Sequence, residues 1–204
     1  MLLNEAKILN PVEVYNLLPE NFYCEVRNGD FWVSDTPLPN WMIYQLLPEG
    51  TSVQLINNQF VMSPSPSVKH QKLLLTIARK IQQWTDSKKL GDVMIAPLDV
   101  HFDEKEVYQP DILFISNEKA GIIFENAIYG APDVVIELLS PSNANFDLHQ
   151  KKDIYFKKKV REYWVIDSAT KEVTGFELGT KGYKELPKVK GILSSKLLGK
   201  AFKF

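Results

Sequence analysis

The chain has 204 residues, 45% of them hydrophobic and 24% charged, with a formal net charge of −1. That fits a globular protein of one domain with an appendage and excludes a chain too polar to bury a core. The single cysteine, Cys24, excludes an internal disulfide and a cysteine-rich metal site, there is no apolar run of 18 residues and no basic-then-apolar leader, so a cytoplasmic protein without a membrane span is expected.

Residues 1–50 are expected to form an N-terminal extension. A short helix is predicted from Pro11 to Leu18. The runs 22–26 and 31–34 flank Asn28-Gly29, a pair that tolerates positive φ at both turn positions and so predicts a hairpin. Pro37, Pro39 and Pro48 then interrupt any long element. The main domain is expected to occupy residues 51–204. A second hairpin is predicted at 52–63 around Asn57-Asn58. Pro66 and Ser67 suit the first turn of a helix running to about Lys88, with Leu74, Ile77, Ala78, Ile81 and Trp84 on one face and Gly91 as its C-terminal cap.

Residues 92–102 and 107–115 are predicted to pair as one antiparallel hairpin with a solvated acidic tip at 103–106. Pro97 marks an edge or a bulge in the first of the two strands. The nearly unbroken apolar run 133–139 predicts a central strand buried on both faces. A helix from about Phe146 to Lys159 and strands at 161–167, 172–178 and 183–186 follow; the tail 191–204 is left unassigned. Hairpins, helix, central strand, helix and strands in that order predict an α/β or α+β fold with a mixed sheet. Charge is uneven along the chain: residues 1–144 hold 10 basic and 18 acidic side chains, and residues 145–204 hold 14 basic and 7 acidic. A basic face of that kind either receives an anionic polymer or is simply solvated.

The chemistry concentrates between 108 and 167. Asp111 follows Pro110 at the head of one apolar run, and Glu137 interrupts another. A carboxylate in a buried strand costs several kcal/mol unless it is paired or metal-bound. Two such acids on neighbouring strands repel each other, and a divalent cation between them removes both penalties; hard oxygen ligands suit Mg²⁺ or Mn²⁺. The alternative is that each acid sits at a strand end, solvated or paired with a lysine. Lys151 falls in the inward stripe of its helix with Leu148, Ile154 and Tyr155, where an apolar residue is expected. Such a lysine either serves a reacting phosphate or snorkels past the sheet edge. Asp133, in a second Pro-Asp pair and on the same strand face as Glu137, is a rival for the first acid; a strand-capping role is preferred for it. His70, His101 and His149 form no zinc pattern, and there is no phosphate-binding loop, nucleophile elbow or dinucleotide fingerprint.

Pro132 to Ser142, the Asp147, Lys151, Tyr155 spacing and Glu162 to Asp167 together resemble the Uma-two family of restriction endonuclease-like proteins, long catalogued as a domain of unknown function, within the PD-(D/E)XK nuclease superfamily. The resemblance runs from about Thr51 to Leu178. It implies a restriction-endonuclease-like core, a central mixed sheet flanked by helices, and Mg²⁺- or Mn²⁺-dependent cleavage of DNA phosphodiesters. By position Asp111 matches the Pro-Asp acid and Glu137 the second acid. The superfamily lysine usually stands two residues after that acid, where this chain has Leu139; Lys151 matches a lysine moved to the next helix. Gln54 stands where members often carry a glutamate, and His70 matches a histidine often found early in the first helix. The expected function is a DNA endonuclease with Asp111 and Glu137 as metal ligands and Lys151 orienting the nucleophile, acting by analogy as a homodimer. A nuclease fold kept as a non-catalytic nucleic-acid or protein binding module is the alternative.

Overall fold

The computed structural model describes residues 7–63, 65–139 and 151–204. The chain divides into two units, Met1–Ser65 with His101–Tyr108 and Pro66–Val100 with Gln109–Phe204. In the first, β1 (Lys7–Ile8) leads to α1 (Pro11–Tyr15), whose Asn10 and Glu13 cap each other's backbone N–H groups. Asn28 and Gly29 take φ of 52° and 91°, the sense a two-residue hairpin turn requires. They join β2 (Glu25–Arg27) to β3 (Asp30–Val33), and β4 (Thr36–Leu38) adds a third strand. After α2 (Asn40–Gln45), β5 (Val53–Ile56) and β6 (Gln59–Met62) form the second predicted hairpin, with Asn57 and Asn58 at φ 49° and 60°. Val14, Phe31, Ile43, Val53, Leu55 and Phe60 form this unit's buried core.

The second unit is built on α3 (Val68–Lys88) and a mixed sheet. Ser67 caps α3 by accepting from the His70 N–H. The helix buries Leu74, Ile77, Ala78 and Ile81 of the stripe expected at helical spacing, and Leu73 besides, in one core with Ile112, Phe114, Ile136, Leu138, Trp164 and Ile166; Trp84 packs against that core partly buried. Its left-handed cap is Lys89, at φ 53°, not Gly91; Gly91 instead begins β7 (Gly91–Ile95). A Cβ there would lie 2.1 Å from the Ile115 carbonyl oxygen, so close strand pairing is what requires a glycine at that position.

The long hairpin predicted over 92–115 is really two shorter pairings. β7 ends at Ile95 and pairs antiparallel with β10 (Ile112–Ser116). β8 (Val100–Asp103) and β9 (Glu106–Tyr108) are separate strands, and residues 101–108 belong to the first unit. Pro97 follows β7 at the sheet edge, as its missing N–H demands. The tip between β8 and β9 is less solvated than expected, because Glu106 is buried and accepts the Asn57 N–H.

After a 3₁₀ turn (Asn117–Ile122) and β11 (Ile128–Tyr129) comes β12 (Val134–Leu139), buried at every residue. Of α4, Lys152–Lys157 lies within the described residues; its predicted start lies outside them. β13 (Glu162–Asp167), β14 (Glu172–Leu178), β15 (Tyr183–Glu185) and β16 (Val189–Lys190) follow, and the tail folds as a hairpin, β17 (Ile192–Ser195) with β18 (Lys200–Lys203). The sheet order is β15-β14-β13-β12-β10-β7; β12 runs parallel to β13 and antiparallel to β10. Among the described residues no helix is long and apolar enough to cross a membrane.

Candidate active site

The register of two strands brings the acids together. β10 and β12 pair antiparallel with Ile112 opposite Ile136. The pairing ends there, and Asp111 and Glu137 are the next residues beyond it on the two segments. The local bonds agree: the Leu138 N–H donates to Asp111 Oδ2 at 2.7 Å, and the Asp111 carbonyl accepts the Ala96 N–H. Glu137 is 3% exposed. A carboxylate so deep needs charge-assisted partners: Lys151 Nζ donates to Glu137 Oε1 at 2.9 Å and the Tyr155 hydroxyl donates to the same oxygen at 2.7 Å.

Those two donors are one helical turn apart, and the helix is held by aromatic packing. Tyr155 meets Tyr163 of β13 edge-on at 5.0 Å, Tyr163 stacks on Phe176 of β14, and the Lys152 ammonium lies over the Phe176 ring. Lys151 itself is 4% exposed, so its stem is buried with its charge and does not snorkel to solvent. Leu139, at the usual lysine position, is buried on β12, and its carbonyl accepts the Ser168 hydroxyl.

His70 reaches the site from the first turn of α3. Its Nε2 lies 3.3 Å from Asp111 Oδ2 and 3.2 Å from the Leu138 carbonyl oxygen. The hydrogen bond to Asp111 holds the imidazole above the ordinary histidine pKa, against the opposing effect of burial. Sequence reasoning assigned no role to His70 or Tyr155. The available signals were their match to positions of the family resemblance and their inward placement on helices that flank the acidic strands.

The rival acid, Asp133, is fully buried in a different set of contacts. The Ser116 N–H donates to its Oδ2, and Lys119 and Arg161 approach its Oδ1 at 3.2 and 3.5 Å. Burial pushes its pKa up, but the Ser116 bonds and the Lys119 charge outweigh burial and hold it below the ordinary value. Gln54 belongs to the first unit, where its amide donates to Ser63 Oγ. His149 lies outside the described residues.

Two carboxylates and the Leu138 carbonyl are all hard oxygen donors, and Asp111 Oδ1 has no hydrogen-bond partner among the described residues. That donor set fits Mg²⁺ or Mn²⁺, which take few protein ligands and fill the remaining positions with water and phosphate oxygens. No group of three or more His, Cys, Asp or Glu able to hold a metal forms among the described residues.

The family described as "Putative restriction endonuclease", Uma2, matches residues 41–198. No curated protein matches the chain. Among solved structures, the chain is similar to "a putative nuclease belonging to DUF820" from Anabaena variabilis, with a TM-score of 0.65 and 17% identity over 78% of this chain and 90% of that one. The similarity shows a shared restriction-endonuclease-like fold.

Proposed function

The chain belongs to the Uma2 family of restriction endonuclease-like proteins, and from that premise we propose that it is a metal-dependent endonuclease that hydrolyses DNA phosphodiester bonds. The observation that carries this reading is Lys151 Nζ seated on Glu137 beside Asp111. A packed core gains nothing from three ionisable side chains at the junction of two strands and a helix; replacing such groups by apolar ones is often neutral or stabilising. Their presence together there points to chemistry.

Asp111 and Glu137 would hold the divalent cation, through Asp111 Oδ1 and the Glu137 carboxylate. When bound, the cation supplies Lewis-acid polarisation of a phosphoryl oxygen and a more acidic water. Lys151 sits against the Glu137 carboxylate in a water-poor setting, where a charge-assisted contact is worth more than in solvent. From there it orients an attacking water and stabilises charge growing on the phosphate. Tyr155 shares Glu137 Oε1 with Lys151, so the carboxylate is fixed by two donors at once. The lysine-rich residues 145–204 supply phosphate-backbone contacts. Two copies acting together would cut both strands of a symmetric target.

A second reading, a binding module that keeps the fold, is favoured by one observation: Gln54, a neutral amide bonded to Ser63, stands where related sequences often carry a glutamate. Nicking of supercoiled plasmid in Mg²⁺ or Mn²⁺ separates the two. The nuclease reading expects cleavage by wild type and its loss in Lys151→Ala. Equal cleavage by both proteins would remove Lys151 from the mechanism; no cleavage by a folded wild type over varied DNA substrates would favour the binding module.

A further inference from the structure

His70 is placed at a cost. It is 8% exposed, its Nδ1 is buried without a hydrogen-bond partner among the described residues, and it sits on a helix face otherwise lined by Leu73, Leu74 and Ile77. A residue selected for packing alone would be apolar there, because a buried polar atom left unpaired lowers stability. The other nitrogen explains the choice. Nε2 lies between two acceptors, Asp111 Oδ2 at 3.3 Å and the Leu138 carbonyl at 3.2 Å. With an acceptor on each side, Nε2 carries the proton. Asp111 Oδ2 thus receives the Leu138 N–H at 2.7 Å and faces the imidazole as well. The other oxygen, Oδ1, has no partner among the described residues.

We propose that His70 is a positioning residue of the metal centre. Its Nε2–H holds Asp111 Oδ2 and the Leu138 carbonyl, so that Asp111 turns Oδ1 toward the cation and its carboxylate stays fixed when metal is absent. The inference rests on the reading of Asp111 as a metal ligand. It departs from that reading in giving the helix α3 a part in the site, which the two acidic strands and Lys151 do not require. Outer partners of this kind orient ligating carboxylates, and their loss weakens metal binding about 10–100-fold.

The test is Mn²⁺ binding to the full chain by titration calorimetry, with the melting temperature in EDTA as a second readout. Glutamine carries its amide nitrogen about as far out as the imidazole Nε2, and asparagine stops near the Nδ1 position. His70→Gln is therefore expected to bind Mn²⁺ within a few-fold of wild type. His70→Asn is expected to bind about 10–100-fold more weakly, and Asp111→Asn to lose binding. A merely structural histidine would make the glutamine and asparagine variants alike in affinity, and that result overturns the proposal while leaving the metal reading intact. Wild-type affinity in Asp111→Asn, or no binding by wild type, overturns the metal reading and the proposal with it. A measurement on the wild type stands apart from variant folding. Long-range ¹H–¹⁵N spectra of the histidine rings in saturating Mg²⁺ should keep the His70 Nε2 proton; its loss on Mg²⁺ addition would contradict a positioning role.

Discussion

Asp133 is 0% exposed and still carries a charge, because Ser116, Lys119 and Arg161 surround it. Replacing it by asparagine weakens charge-assisted bonds, and Asp133→Asn is expected to cost about 1.5–3 kcal/mol at neutral pH in urea denaturation. Its pKa is held below the ordinary carboxylate value. Its linkage contribution is therefore fully present above the unfolded value near ~3.9 and is lost as pH falls through the lower folded value. The stability gap between wild type and Asp133→Asn should close below about pH 4; a gap that widens on acidification would contradict this account. Tyr155 makes a different case. Its hydroxyl donates to a buried carboxylate that also holds Lys151, so Tyr155→Phe should slow metal-dependent plasmid nicking at least ~10-fold while the fold survives. Glu137 stands out in the sequence because an acid inside an apolar run must be paired, solvated or metal-bound, and it shares its neighbourhood with Asp111 and an inward lysine. Tyr155 and His70 do not, since an inward tyrosine or histidine is ordinarily core and only the three-dimensional partners reveal otherwise.

At the scale of elements, one packed glycine and one helix cap are testable. Gly175 of β14 lies opposite Trp164 of β13, and a Cβ there would lie 2.3 Å from the Trp164 ring. Gly175→Ala is expected to destabilise the chain by about 1–3 kcal/mol by overpacking, read from the denaturation midpoint. Lys89 ends α3 at φ 53°, a region where a side chain is strained. Lys89→Gly is expected to raise stability by up to about 1 kcal/mol; a loss of stability there would refute the strain argument. The same residues show what sequence reading can reach. The hairpins were legible because Asn28-Gly29 and Asn57-Asn58 name their own turns. The α3 stripe was legible because its apolar spacing is strict over many residues. The cap was misplaced because Gly91 is the obvious candidate, whereas its real constraint is the Ile115 carbonyl across the strand pair. Strand propensity continues past Pro97 while the pairing partners change, so one long hairpin over 92–115 is predicted where two shorter pairings form. α2 and β17–β18 are too short for periodicity to register.

For the whole molecule, the central strand β12 between parallel β13 and antiparallel β10 is what sets the acids side by side, and that mixed sheet was readable from the order of elements. The charge asymmetry is also a whole-chain property. If residues 145–204 contact phosphates, affinity for duplex DNA should fall ~10-fold or more between 50 and 200 mM salt, measured by fluorescence anisotropy. Salt-independent binding would remove the electrostatic role. The central claim is that Asp111 and Glu137 together bind the metal that cuts DNA. Its most direct test compares wild type with Asp111→Asn for nicking of supercoiled plasmid in Mg²⁺ and Mn²⁺, with EDTA controls and circular dichroism on both proteins. The account predicts metal-dependent nicking by wild type and none by a fully folded Asp111→Asn. Nicking that persists in the folded variant would contradict it.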